Sequence, residues 1–282
     1  MERQTTPFLV LQFFIFPMAI VAVCVTVFVI FGLIASEQKG PRDLLTAVRA
    51  GGLNARWQAA YELSKALQSR SAVPDPKFVD EAIALFEQSG NDDPRVRRYL
   101  ALALGRIGDK RAAPSLIKVI ENEGAEADPD TVLYAAWALG ALADPQAVAP
   151  LVSLTKSPDR EIRKAAYYAL GSFPDASAAE ALRAGLKDSV EDIRWNAALG
   201  LGRHREPEAV PVLLEMLDPV RMARVAGLRS DQREEAMLQA IAVASIFSEP
   251  SLIQALEALR DSDPDLKVRD AAREALKSRP RS

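Results

Sequence analysis

The sequence predicts an all-α protein, an α-solenoid of about seven helical hairpins preceded by one transmembrane helix. Three observations predict it. A ten-residue pattern, clearest at residues 162–171 (IRKAAYYALG), recurs seven times along the chain. Its last position falls at 64, 105, 140, 171, 202, 242 and 277, so the steps run from 31 to 41 residues, the spacing of stacked helical repeats. Ahead of the repeats, no charged residue lies between Arg3 and Glu37.

In chain order, a tail at 1–7 leads into an apolar run from Phe8 to Ala35, broken only by Gln12, Pro17, Thr26 and Gly32. As a helix it rises about 40 Å, enough to cross a hydrocarbon core of about 30 Å with some tilt. Pro17 is a candidate kink. A cleaved signal peptide has an apolar core of only about 7–15 residues. A lipoprotein site at Cys24 is opposed by the bulky Val23 before it. The run is read as a permanent single-pass anchor, of the kind found in a bacterial-type inner membrane. Basic residues set orientation: Arg3 stands before the span, and Lys39, Arg42 and Arg49 follow it, which places the repeats on the cytoplasmic side. A short tether at 36–41 leads to a repeat region at 42–282.

The repeats begin at 55–64 (ARWQAAYELS) and continue at 96–105 (VRRYLALALG), 131–140 (TVLYAAWALG), 162–171, 193–202 (IRWNAALGLG), 233–242 (REEAMLQAIA) and 268–277 (VRDAAREALK). Counting the first residue of each copy as zero, positions zero, three, four, seven and eight share one helical arc. That arc is apolar and small, with Ile162, Ala165, Ala166, Ala169 and Leu170 in one copy. Small residues let helices approach closely. Asp93-Pro94, Asp128-Pro129, Ser157-Pro158 and Asp263-Pro264 precede four copies, an N-cap followed by a proline whose missing N–H costs nothing in a first turn. A shorter amphipathic run precedes each copy, as at 114–120 and 211–217, so each repeat is a short first helix and a longer second helix. The long steps place a proline-bearing loop at 70–76 and an insertion at 218–230 carrying Arg221, Arg224 and Arg229. Arg273, Glu274 and Lys277 replace apolar residues in the last copy, as a solvent-facing cap requires.

Over residues 42–282 this pattern resembles the HEAT-like repeat family, in the variety first recognised in phycobilin lyases. The residues that carry the resemblance are Asp159, Ile162-Arg163 and Ala169-Leu170-Gly171, matched by Asp93, Val96-Arg97 and Ala103-Leu104-Gly105. It implies that arginine at position one (Arg56, Arg97, Arg163, Arg194, Arg269) and the aspartates bond successive repeats, with interruptions at Val132 and Glu234. For function it implies surfaces offered to partners, and it does not license bilin-lyase activity.

Thirty-five basic and 38 acidic residues give a net charge of −3, which argues against a general nucleic-acid binder. One histidine, His204, and one cysteine, Cys24 inside the apolar run, are too few for a zinc cluster. His204 reads as a solvated turn residue. No phosphate loop, GxSxG or HExxH occurs. The Asp-rich stretches at 128–130 and 263–265 lack the glycine and terminal glutamate of a calcium loop and sit where helix caps belong. No catalytic residue, metal ligand or cofactor site is expected, and the chain is read as a non-enzyme.

One feature stands above this background. Positions two and six lie opposite the core arc, on the face that a solenoid turns to its concave side. They hold Trp57 and Tyr61, Arg98 and Leu102, Leu133 and Trp137, Lys164 and Tyr168, Trp195 and Leu199, including every tryptophan in the chain, and in the last two copies the polar pairs Glu235 with Gln239 and Asp270 with Glu274. An exposed aromatic row beside cations is how partner-binding surfaces are built. The expected site is Trp57, Tyr61, Trp137, Lys164, Tyr168, Trp195 and Leu199, binding a protein or peptide partner. The opposing expectation is that these rings are buried between adjacent second helices. The function read from the sequence is a membrane-anchored scaffold or adaptor. Its alternatives are a permanent accessory subunit of a membrane complex and a lyase-like, cofactor-handling factor.

Overall fold

The computed structural model describes residues 16–35, 39–68, 75–122 and 128–278. Among them are sixteen α-helices and no strand. The chain divides into two compact units, Met1–Asp43 and Leu44–Ser282.

The first unit contains helix α1 (Phe16–Ala35), twenty residues with no charge. Its described side chains, which stop at Val29, are exposed, Phe28 at 80%. Thr26 returns its hydroxyl to the Ala22 carbonyl at 2.8 Å, so even its one hydroxyl is satisfied within the helix. Among the described residues no helix is long and apolar enough to cross a membrane. The expected span from Phe8 therefore has no support from the described residues, and its part at 8–15 lies outside them, as do the tail at 1–7 and residues 36–38 of the tether.

The second unit is a row of helix pairs. After α2 (Pro41–Ala50) come α3 (Leu53–Ala66), α4 (Pro76–Gln88) and α5 (Pro94–Ile107), then α6 (Ala113–Asn122) and α7 (Pro129–Leu142). The row continues with α8 (Val148–Leu154), α9 (Arg160–Leu170), α10 (Ala176–Gly185), α11 (Glu191–Arg203), α12 (Val210–Met216), the short α13 (Pro219–Ala223), α14 (Ser230–Ala244), α15 (Pro250–Ser262) and α16 (Leu266–Ser278). The second helices α3, α5, α7, α9, α11, α14 and α16 each pack on the next, forming one layer, and the first helices form the other.

The ten-residue pattern builds this layer. The position-eight residues Leu104, Leu139, Leu170 and Leu201 are fully buried between the layers. Positions seven and nine set the distance between neighbouring second helices. A Cβ on Gly105 would lie 2.8 Å from the Ala138 Cα, one on Gly140 2.7 Å from the Ala169 Cα, and one on Gly171 2.8 Å from the Gly200 Cα. Each glycine at position nine thus receives the small residue at position seven of the next copy. Only hydrogen fits in these gaps, which explains the alanine-and-glycine face.

Aspartates start the helices. Asp128 accepts the Thr131 amide at 2.9 Å to cap α7, and Asp93 accepts that of Arg95 to cap α5. At Ser157-Pro158 and Asp263-Pro264 the caps fall beyond the expected residues. Asp159 takes the Glu161 amide at 2.7 Å and Asp265 that of Lys267 at 2.8 Å. These aspartates, one residue past each proline, are free to adopt the extended backbone that an N-cap needs. The insertion at 218–230 is not a plain loop: Asp218 caps α13, whose Met222 is buried. Most of the expected loop at 70–76 lies outside the described residues. Arg273, Glu274 and Lys277 are exposed on α16, as a terminal cap should be.

Ionic links join the repeats. Arg56 meets Asp92 at 2.6 Å and bonds the Val48 carbonyl, and Arg163 meets Asp188 at 3.4 Å. Arg194 and Arg269 donate to the carbonyls of Asp188 and Asp263 instead. Between the second and third repeats the link comes from position two, where Arg98 forks onto Asp128 and also meets Asp130 at 2.6 Å. Arg97 lies over the Phe86 ring. Glu234, where arginine is missing, accepts the Lys267 ammonium at 2.7 Å.

Candidate functional site

The second-helix face carries the expected stripe in three different environments. Tyr61 on α3 and Tyr168 on α9 are exposed, at 39% and 40%. Trp57, Trp137 and Lys164 are half-buried. Trp195 and Leu199 on α11 are buried, at 7% and 3%, which corrects the expectation that they stand free on the surface. The burial comes from later sequence. The insertion and α14 bring Leu228 and Ala236 alongside, and with Met216 these line one cleft with Trp195 and Leu199. Trp137 is braced by the preceding repeat: its Cζ3 atom lies 2.9 Å from where a Cβ on Gly105 would stand.

Two rings missing from the expected stripe lie beside it. Tyr99 on α5 and Tyr134 on α7 occupy position three, where the copies at 162, 233 and 268 have Ala165, Ala236 and Ala271. A phenol does not fit the alanine-sized gap between second helices, and both rings are only half-buried. Tyr61 meets Tyr99 edge-on at 5.1 Å between centroids and 64°, and Tyr99 lies 6.3 Å from Tyr134. The three rings form a continuous ladder across α3, α5 and α7, edge-to-face at its first step, as the ring quadrupoles favour, and tilted at 53° at its second. Tyrosine in place of alanine at position three was the signal for them.

Cations flank the ladder. The Arg95 guanidinium lies over the Trp57 ring at 4.3 Å from its centroid while it forks onto Asp93. That fork, more than any other contact, lowers the Asp93 carboxyl to about 2. The Arg98 guanidinium is raised by its bond to Asp128, and Asp128 is lowered by the same bond. Arg106 donates to the Ser64 carbonyl, and burial lowers its affinity for its proton. Burial pushes the Tyr134 phenol up, so this ring stays neutral and offers an O–H.

His204 departs from its expected solvated state. Its Nε2 atom is buried without a hydrogen-bond partner, and the ring lines a cleft of about 340 Å³ with Phe173, Asp175, Leu201 and Glu206. Among the described residues no group of three or more His, Cys, Asp or Glu side chains could hold a metal ion. Cys24 is exposed on α1.

The comparisons with known proteins agree with this architecture. The model of HEAT repeats matches residues 123–193 and 170–230, and that of the PBS lyase HEAT-like repeat matches 96–122. No curated protein matches the chain. Among solved structures, one similar chain belongs to the complex of CpcE and CpcF of phycocyanin lyase from Nostoc sp. PCC7120. It is 22% identical, with a TM-score of 0.58 over 85% of this chain and 94% of that one. Human deoxyhypusine hydroxylase is 23% identical, with a TM-score of 0.35 over 87% of this chain and 97% of its own. At 22% identity the likeness to the phycocyanin lyase chain concerns the fold.

Proposed function

We propose that this HEAT-type repeat protein is a membrane-anchored scaffold that captures a protein partner along its second-helix face. One observation carries the reading: the Tyr61–Tyr99–Tyr134 ladder, with Trp57 and Arg95 at one end and Trp137 on α7, runs half-open across three repeats. Rings held by helices lose little freedom on binding, and Trp, Tyr and Arg are the residues that dominate interfaces. Solvent would otherwise wet this apolar strip for no structural gain, since the core beneath it is closed by Leu104 and Leu139. The membrane part of the proposal rests on the sequence, on the uncharged apolar run from Phe8 to Ala35. Lys39, Arg42 and Arg49 just after it support a cytoplasmic placement of the repeats.

A photo-crosslinking residue placed at Tyr61 in native membranes tests the proposal. The same residue at Lys118, exposed on first helix α6, is the control. Adducts are expected from position 61 and absent from position 118. Adducts from 118 alone would put the partner on the opposite layer and contradict the reading.

A further inference from the structure

The cleft between α9, α11 and α14 is built differently from the ladder. It holds about 290 Å³, at the small end for a ligand pocket and enough for one large side chain. Trp195 and Leu199 form its apolar part, and Asn196, Gln239, Asp192 and Glu235 supply polar atoms around it. Among the described residues Lys164 is the one basic residue in the lining, and it is already engaged: its ammonium is held by Glu161 and lies 3.9 Å from Asp192. Glu235 is not. Among the described residues its carboxylate meets no basic side chain and accepts only the Gln239 amide, at 3.3 Å.

The first repeats show what such an arrangement takes. Trp57 on α3 and Trp195 on α11 both occupy position two of the pattern, and a carboxylate comes from the cap of the next second helix at the first place, Asp93, and from the next second helix itself at the second, Glu235. At the first place the chain fills the gap with its own Arg95, stacked on the indole and forked onto Asp93. At the second place an indole and an unpaired carboxylate face a cleft, and among the described residues no arginine lines it.

We propose that this cleft receives one arginine side chain from an extended segment of the protein partner, its guanidinium lying against the Trp195 indole and donating to Glu235 and Asp192. The proposal rests on the reading that the second-helix face takes a protein, and it assigns that partner a chemistry. Arginine suits the cleft better than lysine because its planar group stacks on an aromatic face while its edge forks onto a carboxylate. An acidic side chain would meet Glu235 and Asp192 against a lysine already paired, and an apolar one would leave those carboxylates desolvated.

The full-length chain, labelled with 5-fluorotryptophan, gives one fluorine resonance for each of Trp57, Trp137 and Trp195, and is titrated with the peptide acetyl-Gly-Ser-Arg-Ser-Gly-amide. The Trp195 resonance is expected to shift saturably while that of Trp57, already covered by Arg95, stays in place. Lysine in the peptide should weaken binding about fivefold, and citrulline, which keeps the shape without the charge, should abolish the shift. Glu235→Gln should weaken the arginine peptide by about tenfold, and Glu235→Arg should remove binding altogether. An equal response to citrulline, or an unchanged affinity in Glu235→Gln, overturns the proposal. Such a failure leaves crosslinking at Tyr61 unaffected, so the pocket and the ladder are judged separately.

Discussion

A Cβ added to Gly140 would stand 2.7 Å from the Cα of Ala169 and 2.8 Å from its Cβ, so α7 and α9 meet with no space for a methyl group. Gly140→Ala is therefore expected to cost about 1–3 kcal/mol through overpacking. Gly90→Ala is the control. Its nearest neighbour would be the Arg97 guanidinium at 4.0 Å, so the change should be neutral or stabilising by up to about 1 kcal/mol. Urea melts of the two variants check this, and equal shifts would show that the second-helix spacing is not set by position nine.

Burial separates two rings that share the same face. Trp195→Ala removes a ring that is 7% exposed and should cost about 3–5 kcal/mol. Tyr168→Ala removes one that is 40% exposed and should stay within about 1 kcal/mol of the parent. Thermal melts decide it. A neutral Trp195→Ala would return that ring to the open surface that its position in the pattern suggests.

The dependence of stability on pH follows from the aspartates. The Arg98 bond holds the Asp128 carboxyl below its ordinary value, and the Arg95 fork lowers Asp93 to about 2. A carboxyl depressed in the folded state binds its proton better in the unfolded chain. Its contribution is complete above the unfolded value of about 4 and is lost as pH falls through the folded one. The melting temperature should be level from about pH 8 to 5 and decline below about pH 4. Asp128→Asn should lower it at neutral pH and flatten part of the acid limb. A decline that sets in near pH 6 would contradict a carboxylate origin.

The pattern at 162–171 and its copies was enough to place all seven second helices, because leucine at position eight and glycine or alanine at seven and nine report the core and the helix spacing directly. The surface was less legible, because exposure depends on residues far along the chain. Trp195 shares a cleft with Leu228 and Ala236, more than thirty residues later, and no local period reveals that. Tyr99 and Tyr134 were assigned to the core arc by position, but a ring cannot enter a gap sized for Ala165. The insertion did carry a readable sign: Asp218-Pro219 repeats the cap-and-proline pair of Asp93-Pro94 and starts α13.

Helix α1 makes its own prediction. Because its described side chains are apolar and exposed, the full-length chain should sediment with membranes and be released by detergent but not by high salt. Deleting residues 1–38 should move it to the supernatant. Release of the full-length chain by salt alone would contradict an anchor and leave only peripheral attachment.

The central claim is that the ring ladder on the second-helix face recognises a partner, and truncating its exposed end tests this most directly. Tyr61→Ala, alone and with Tyr99→Ala, is introduced into the full-length chain, and partner recovery from native membranes is measured beside the melting temperature. With rings exposed or half-exposed, the melting temperature should change little, while loss of contacts worth about 2 kcal/mol or more lowers affinity at least about thirtyfold. Recovery should fall to background in the double variant and survive in Lys118→Ala. Full recovery by a folded Tyr61→Ala/Tyr99→Ala variant would contradict the account.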